Sequence, residues 1–204
     1  MLDLSTTWDR SNPMALDTAV ALARAASALL PSAVLVDAPG QVDTFTLTML
    51  GRGAARLGST PLLLTHRQTE IAALLALHPA GLTLEELHAN LYGDDPVRLS
   101  TLKAEVSRLR RVLAGGISSR PYRLTMPVRT DVDGVLASLR TGRVSGVLPA
   151  ATPLLPWSDS PFFAGLRQEL TVAVRDAVLR SHDPGLAAAY AEAAADDLEA
   201  AEHA

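Results

Sequence analysis

The sequence contains no cysteine, a single lysine and no long apolar segment. Without cysteine, neither disulfide bonds nor thiolate-ligated metal sites can form, and such a composition is typical of a reducing compartment. No run of 18 or more apolar residues occurs, so the sequence predicts no membrane-spanning helix. The opening MLDLSTTWDR lacks the basic and apolar regions of a secretory signal. We therefore expect a cytoplasmic protein with no membrane partner.

Motifs for catalysis or metal binding are also missing. The five histidines include no pair at zinc-ligand spacing. The glycine-rich phosphate-binding loops and the Gly-x-Ser-x-Gly nucleophile motif do not occur. The neighbouring acids Asp94 and Asp95 lack further ligands at suitable spacing, and a capping role at a helix N-terminus explains them better. We expect no catalytic residue, no metal site, no cofactor and no enzymatic activity.

Positive charge is concentrated in one part of an acidic chain. The whole protein has a net charge of −4, yet residues 97–129 hold eight basic residues against Glu105 alone, a net charge of +7. Residues 130–204 hold five basic and eleven acidic residues, a net charge of −6. A local excess of this size favours an anionic partner. The alternative is a solvated helix face whose acidic partners lie elsewhere in the fold, and charge alone leaves both interpretations open.

The region after residue 42 predicts a small antiparallel sheet. In VDTFTLTML, residues 42–50, threonines alternate with apolar residues, which is typical of a strand with one buried side. The apolar side carries Phe45, Leu47 and Met49. Two shorter segments, AARLG and TPLLL, follow a Gly-Arg-Gly turn and predict two more strands.

Two helices that begin with capping boxes follow the sheet. Thr65 with Gln68, and Thr83 with Glu86, fit the Ser/Thr-x-x-Glu/Gln pattern, in which each side chain bonds the other residue's backbone amide. Gly93 is the predicted C-cap of the second helix. Apolar residues at helical spacing predict the buried faces, which carry Ile71, Leu74 and Leu75 in the first helix and Leu84, Leu87 and Leu91 in the second.

The third helix is the most basic segment of the chain. In RLSTLKAEVSRLRRVL, residues 98–113, five of sixteen positions are basic, and we expect a helix from about residue 97 to 113. Asp95 is its predicted N-cap and Pro96 its first residue. Glu105 falls nearer the buried side, where it is expected to pair locally. The predicted buried stripe consists of Leu102, Val106, Leu109 and Leu113.

A basic hairpin is predicted next, in ISSRPYRLTMPV, residues 117–128. The order of sheet, two capped helices, basic helix and basic hairpin resembles the OmpR/PhoB-type winged helix-turn-helix DNA-binding domain. The segments that carry this resemblance are LTHRQTEIAALLALHPAGLTLEELHANLYG, RLSTLKAEVSRLRRVL and SRPYRLT. One departure is Pro121, which stands where the family's wing has glycine before tyrosine. The resemblance implies an α+β, mostly helical fold: a winged helix-turn-helix with a small N-terminal antiparallel sheet, flanked by an N-terminal helix and a C-terminal helical module.

The resemblance also implies where duplex DNA would bind. Such a domain places its third helix in the major groove, where arginine can read guanine, while other basic side chains hold phosphates. In a competing interpretation, Arg108 and Arg110 form salt bridges with Glu85, Glu86 or Glu105. The candidates that face bases or the groove are Thr101, Ala104, Ser107, Arg108 and Arg111. The phosphate candidates are Lys103, Arg110, Arg120 and Arg123.

Two flanking regions complete the predicted domain organisation. Residues 1–41 form a connector with a helix over residues 14–30, and LDLSTTWDRSNPMALDTAVALAR resembles the end of a GAF sensory domain in actinobacterial GAF-containing regulators. A plain N-terminal helix packed on the sheet is the alternative. Residues 42–129 form the DNA-binding domain. Residues 130–204 form an acidic helical module, with helices expected over 132–140, 163–181 and 185–204, which acts as a dimerisation module or regulatory cap.

The sequence therefore predicts a DNA-binding transcriptional regulator that acts as a homodimer. Its third helix docks in the major groove and its wing, residues 117–128, lies on the DNA backbone. The alternative is a winged-helix module that contacts RNA polymerase or another regulator without binding DNA itself. A ligand sensor would need the rest of a GAF domain and ranks below both.

Overall fold

The computed structural model describes residues 43–143 and 152–202, the last nine of these for their backbone only. The connector predicted for residues 1–41 lies outside the described residues. Within the described ranges the strands are β1 (Phe45–Thr48), β2 (Ala54–Leu57), β3 (Thr60–Leu62) and β4 (Val128–Thr130). The helices are α1 (His66–Leu77), α2 (Leu84–Tyr92), α3 (Leu99–Val112), α4 (Asp131–Thr141), α5 (Pro161–Ser181) and α6 (Pro184–Glu202).

The four strands form one sheet in the order β3-β2-β1-β4. β1 pairs antiparallel with β2, and β2 with β3, which confirms the predicted antiparallel strands. The fourth strand was not predicted: β4 lies parallel to β1, with Phe45 opposite Val128. Val128 was expected to end the hairpin, because three residues are too few to display an alternating pattern. Phe45, Leu47 and Met49 are fully buried, as their alternation predicted.

Both predicted capping boxes are present. Thr65 Oγ1 accepts a hydrogen bond from the Gln68 amide at 3.2 Å, and Thr83 Oγ1 accepts one from the Glu86 amide at 3.1 Å. The Gln68 and Glu86 side chains accept the two threonine amides in return. These bonds satisfy amides that a helix start otherwise leaves without partners. Gly93 ends α2 with a φ of +56°, where a side chain would be strained.

The predicted start of the third helix is wrong. α3 begins at Leu99 with Arg98 as its N-cap and without a capping side chain, so neither Asp95 nor Pro96 belongs to it. The loop before it turns on itself, with the Asp95 amide bonded to the Tyr92 carbonyl and the Val97 amide to the Asp95 carbonyl. The Val97 carbonyl accepts a hydrogen bond from His88 Nε2 of α2 at 2.7 Å, so it is not used as a helix acceptor and α3 starts after it.

The buried stripe of α3 is confirmed, since each of its four members is at most 1% exposed. α3 packs through this stripe on both α1 and α2. A 14-residue helix is about 21 Å long, so its outer face presents about four turns to solvent. The buried stripe is Leu102, Val106, Leu109 and Leu113.

The core continues into the C-terminal part of the chain. Leu154, Leu155 and Phe163 are buried in the same cluster as Phe45. Packing is therefore continuous across residue 130, and the division of the chain into domains there stays a prediction. Two aromatic side chains anchor the proline-rich segment, residues 152–161, to this core: Phe163 is fully buried, and Trp157 packs against the core.

A smaller cluster joins the last three helices. Val135 of α4 packs with Val174 and Val178 of α5, and Tyr190 of α6 lies against them. At the other end of α4, the carboxylate of Asp131 accepts hydrogen bonds of 2.8 and 2.9 Å from the two amides that follow β1. α4 is thus fixed to both the sheet and the helical part. None of the helices in the described ranges has the length and apolarity needed to cross a membrane.

Candidate nucleic-acid interface

The outer face of α3 carries the predicted contact residues. Because the buried stripe fixes which side of the helix meets the core, the opposite side faces solvent. All of the predicted α3 residues except Arg110 are exposed. These exposed residues are Thr101, Lys103, Ala104, Ser107, Arg108 and Arg111.

The predicted wing forms a hairpin beside α3. The Ser118 amide donates to the Arg123 carbonyl at 2.9 Å, and Ile117 and Leu124 form an antiparallel bridge. The second arm also bridges Leu82 on its other side, through two backbone hydrogen bonds with Tyr122. The wing is therefore held by single bridges rather than by a continuous ladder. Its two basic candidates, Arg120 and Arg123, are exposed.

Pro121, the departure from the family pattern, packs against the turn between α1 and α2. Gly81 in that turn has a φ of +89°, and a Cβ atom there would lie 2.8 Å from Pro121 Cγ. Only glycine accommodates both the backbone conformation and this close approach. The wing tip thus rests on the helical core although the usual glycine is missing.

Arg108 forms an ion pair within its own helix. Its Nη1 atom bonds Glu105 Oε1 one turn earlier, and the two side chains are 57% and 19% exposed. This confirms the local pairing expected of Glu105. Of the three acids that the competing interpretation named for Arg108, Glu105 is the partner.

Arg110 points into the wing instead. Its Nε atom donates to the Ile117 carbonyl at 2.9 Å, and Nη2 donates to Ser119 Oγ at 2.7 Å. Nη2 also lies 3.4 Å from the Ser118 carbonyl. The side chain is half-buried. Neither the phosphate role nor the salt bridge considered for Arg110 anticipated these contacts.

The remaining basic side chains of this surface form no salt bridge with the described residues. Among the described residues the two salt bridges are Arg67–Glu70 and Arg108–Glu105. We use the term α3–wing surface for the exposed residues of α3 together with Arg120 and Arg123. Its basic side chains outside ion pairs are Lys103, Arg111, Arg120 and Arg123.

One further exposed cation lies at the N-terminus of α3 and was given no role by the sequence predictions. Arg98 is the N-cap of α3 and is exposed. It was counted in the basic excess but given no role, because the helix was expected to start earlier. The signal that could have identified it is its position just before the first residue of the apolar-periodic pattern.

Metal-binding clusters and titratable groups with shifted pKa values are two other features that could support chemistry in the described residues. These residues contain no group of three or more histidine, aspartate or glutamate side chains that could hold a metal ion. Burial raises the pKa of Tyr92, against the opposing effect of the Arg67 guanidinium 4.3 Å above its ring. Burial also raises the pKa of the Glu169 carboxyl. Neither group belongs to the α3–wing surface.

Comparisons with known proteins find a sequence relative and a neighbour in fold. No protein-family model matches the chain. Over 142 residues it is 36% identical to an uncharacterized 47.3 kDa protein from the thcA 5' region of Rhodococcus erythropolis, an alignment that covers 69% of this chain and 32% of that protein. The chain therefore spans about a third of this relative's length.

The fold neighbour is Mycobacterium tuberculosis EmbR, solved in complex with a low-affinity phosphopeptide. The two structures have a TM-score of 0.51 and 21% sequence identity, and the likeness covers 78% of this chain and 50% of the EmbR chain. At this identity the likeness shows a shared fold alone. It supports the OmpR/PhoB-like winged-helix fold that the sequence predicted, whereas the GAF and actinobacterial resemblance stays a prediction.

Proposed function

We propose that the protein is a DNA-binding transcriptional regulator that inserts α3 into the major groove and lays its wing on the DNA backbone. The observation that carries the proposal is the α3–wing surface, which gathers exposed cations outside ion pairs on an otherwise acidic chain. An α-helix with its side chains is about 10–12 Å in diameter and fits a major groove about 12 Å wide. Binding rather than catalysis is the proposed activity.

Arg111 is the leading base reader in this proposal. Its side chain is exposed on the outer face of α3, and arginine pairs with both acceptors on the guanine edge. Arg108 is placed second, because it must leave or share Glu105 to reach a base. Ala104 and Thr101 carry methyl groups suited to thymine, and the Ser107 hydroxyl bonds either kind of edge.

Lys103, Arg120 and Arg123 are the proposed phosphate contacts. Such contacts fix the register of a protein on DNA without reading its sequence. Each neutralised phosphate releases condensed counterions, so binding through these side chains weakens as salt rises. The acidic C-terminal part opposes the approach of DNA, since residues 130–204 carry a net charge of −6. We therefore propose that a homodimer on two half-sites is the binding form.

The test is selection of bound fragments from genomic DNA, followed by fluorescence anisotropy on the enriched duplex. Arg111→Ala is expected to lower affinity by about tenfold or more and to relax the preference for one base pair, since a bidentate guanine contact is worth about 1–3 kcal/mol. Arg175→Ala is the matched control: it removes the same charge from an exposed site on α5. Equal losses for the two variants, or no enriched sequence, would overturn base reading by α3.

A second candidate is a protein-contact module that docks on RNA polymerase or another regulator. Leu99 and Val112, at the two ends of α3, are 40% and 36% exposed, which suits an apolar contact better than DNA. The discriminating result is retention of RNA polymerase by immobilised protein that binds no duplex. Leu99→Ser with Val112→Ser would abolish that retention, whereas Arg111→Ala would leave it unchanged.

A further inference from the structure

We infer that Arg110 is a positioning residue that fixes the wing to α3, and that it does not act as a phosphate contact. The effect of this Arg110 contact on DNA affinity rests on the proposed DNA-binding function. Its effect on the order of the wing does not, and can be measured without DNA.

The inference begins with the direction of the Arg110 side chain. Nε and Nη2 lie on the same edge of the guanidinium, and they donate to Ile117 and Ser119 at 2.9 and 2.7 Å. The backbone carbonyl of Arg110 also accepts a hydrogen bond of 2.8 Å from the Gly115 amide, in the turn that leads into the wing. One residue therefore contacts the start of the wing through both its backbone and its side chain.

The wing needs such a contact because its own backbone pairing is sparse. The second arm has neighbours on two sides, Leu82 on one and the first arm on the other. The first arm is joined to the second by two backbone hydrogen bonds, Ser118 to Arg123 and Thr125 to Gly116, and by the Ser118 hydroxyl, which donates to the Pro121 carbonyl at 2.7 Å. The guanidinium of Arg110 adds a side-chain contact to the first arm, because it donates to the Ile117 carbonyl and to the Ser119 hydroxyl. The Ile117 carbonyl thereby has a hydrogen-bond partner.

Only arginine has the donor geometry for this role. Its planar guanidinium presents parallel N–H groups, whereas lysine offers one compact ammonium on a flexible stem. Lysine keeps the positive charge and can still contact a phosphate, but it cannot bridge Ile117 and Ser119 in the same way. Charge and geometry are therefore separable by Arg110→Lys.

The experiment compares wild type with Arg110→Lys, Arg110→Ala and the control Arg111→Lys. Amide hydrogen exchange of the DNA-free proteins is followed by NMR at Ser118, Tyr122 and Thr125, whose amides are hydrogen-bonded within the wing or from it to its neighbours. Both Arg110 variants are expected to exchange about tenfold faster or more at these amides, since a hydrogen bond from a charged group is lost. Arg111→Lys is expected to leave all three unchanged. Amides of α1 report whether the fold itself is intact.

Duplex binding is then measured with the same variants. Arg110→Lys is expected to lose nearly as much affinity as Arg110→Ala, because a mobile wing loses the contacts of Arg120 and Arg123. Wild-type affinity and wild-type wing exchange in Arg110→Lys would overturn the inference and establish a charge contact instead. Loss of affinity with unchanged wing exchange in Arg110→Ala would overturn it as well. If wild type binds no duplex, the proposed function fails, while the exchange data still decide the role of Arg110.

Discussion

The indole ring of Trp157 lies flat on the imidazole of His66, with the ring centroids 4.1 Å apart and an interplanar angle of 14°. Trp157 Nε1 also donates a hydrogen bond of 2.9 Å to the carbonyl of Arg52, beside the sheet. One side chain thus joins the proline-rich segment to the first turn of α1 and to the turn before β2. The turn before β2, α1 and the segment before α5 share this contact.

We predict that Trp157→Ala destabilises the protein by about 2 kcal/mol. Truncation of buried tryptophan costs about 3–5 kcal/mol, and Trp157 is half-buried. Urea unfolding followed by circular dichroism at α-helical wavelengths measures the change in the free energy of unfolding. Val172→Ala, at a 55% exposed position on α5, is the control and is expected to change stability by less than about 0.5 kcal/mol. Equal effects of the two substitutions would contradict the anchoring role.

A second prediction concerns the buried carboxylate of Glu70. Its side chain is 5% exposed, forms an ion pair with Arg67 at 2.8 Å and accepts a hydrogen bond from the Ser158 hydroxyl. Glu70→Ala is expected to cost about 3 kcal/mol, because it leaves a cation without its partner, and Ser158→Ala about 1–2 kcal/mol. In a double-mutant cycle, the summed destabilisation of the two single variants should exceed the destabilisation of the double variant. Strict additivity would show that Ser158 and Glu70 are not coupled.

The pH dependence of stability supplies a third prediction, through Glu169. Burial raises the pKa of this carboxyl above its ordinary value of 4.5, so the folded protein binds the proton more tightly than the unfolded chain does. The group therefore contributes stability below pH 4.5 that is lost as pH rises through the raised pKa. Glu169→Gln removes that loss and is expected to be more stable than wild type at pH 7.

Urea unfolding of wild type and Glu169→Gln at pH 4 and pH 7 checks this sign. The advantage of the variant should shrink at the lower pH. Glu192→Gln, which changes an exposed acid on α6, is the control and should show no such pH-dependent difference. A variant whose advantage grows as the pH falls would contradict the assignment.

A fourth prediction follows from the Arg108–Glu105 ion pair on α3. Glu105→Gln removes an acid that repels phosphate and releases Arg108 from its partner. Duplex affinity is expected to rise by about threefold to tenfold at low salt, and by less at high salt, because the effect is electrostatic. Anisotropy titrations measure it against Glu192→Gln, which removes the same charge from α6. A fall in affinity would show instead that Glu105 orients Arg108 for binding.

The elements that the sequence predicted well are those with local causes. Thr65 and Gln68 lie three residues apart and cap α1 by themselves, so their pattern identifies the start of that helix. The stripe from Leu102 to Leu113 fixes the buried side of α3 in the same way. The four side chains repeat at helical spacing over three turns, which an irregular segment does not do.

The features that escaped prediction depend on partners distant in sequence or on contacts outside a pattern. β4 pairs with β1 across about 80 residues, and no pattern within its three residues predicts a parallel neighbour. Ser158 bonds Glu70 over a separation of 88 residues. Arg110 looked like another outward cation because helical periodicity places a Cα atom but not the direction of a long side chain.

The most direct test of the central claim is the salt dependence of duplex binding. The proposed phosphate contacts are Lys103, Arg120 and Arg123, so a plot of log Kobs against log salt concentration should have a slope of about −3 per protomer. The Arg120→Ala/Arg123→Ala variant should have a slope of about −1, while Arg175→Ala keeps that of wild type. Binding that does not depend on salt, or equal slopes for all three proteins, would contradict the account of α3 and the wing as a DNA-binding surface.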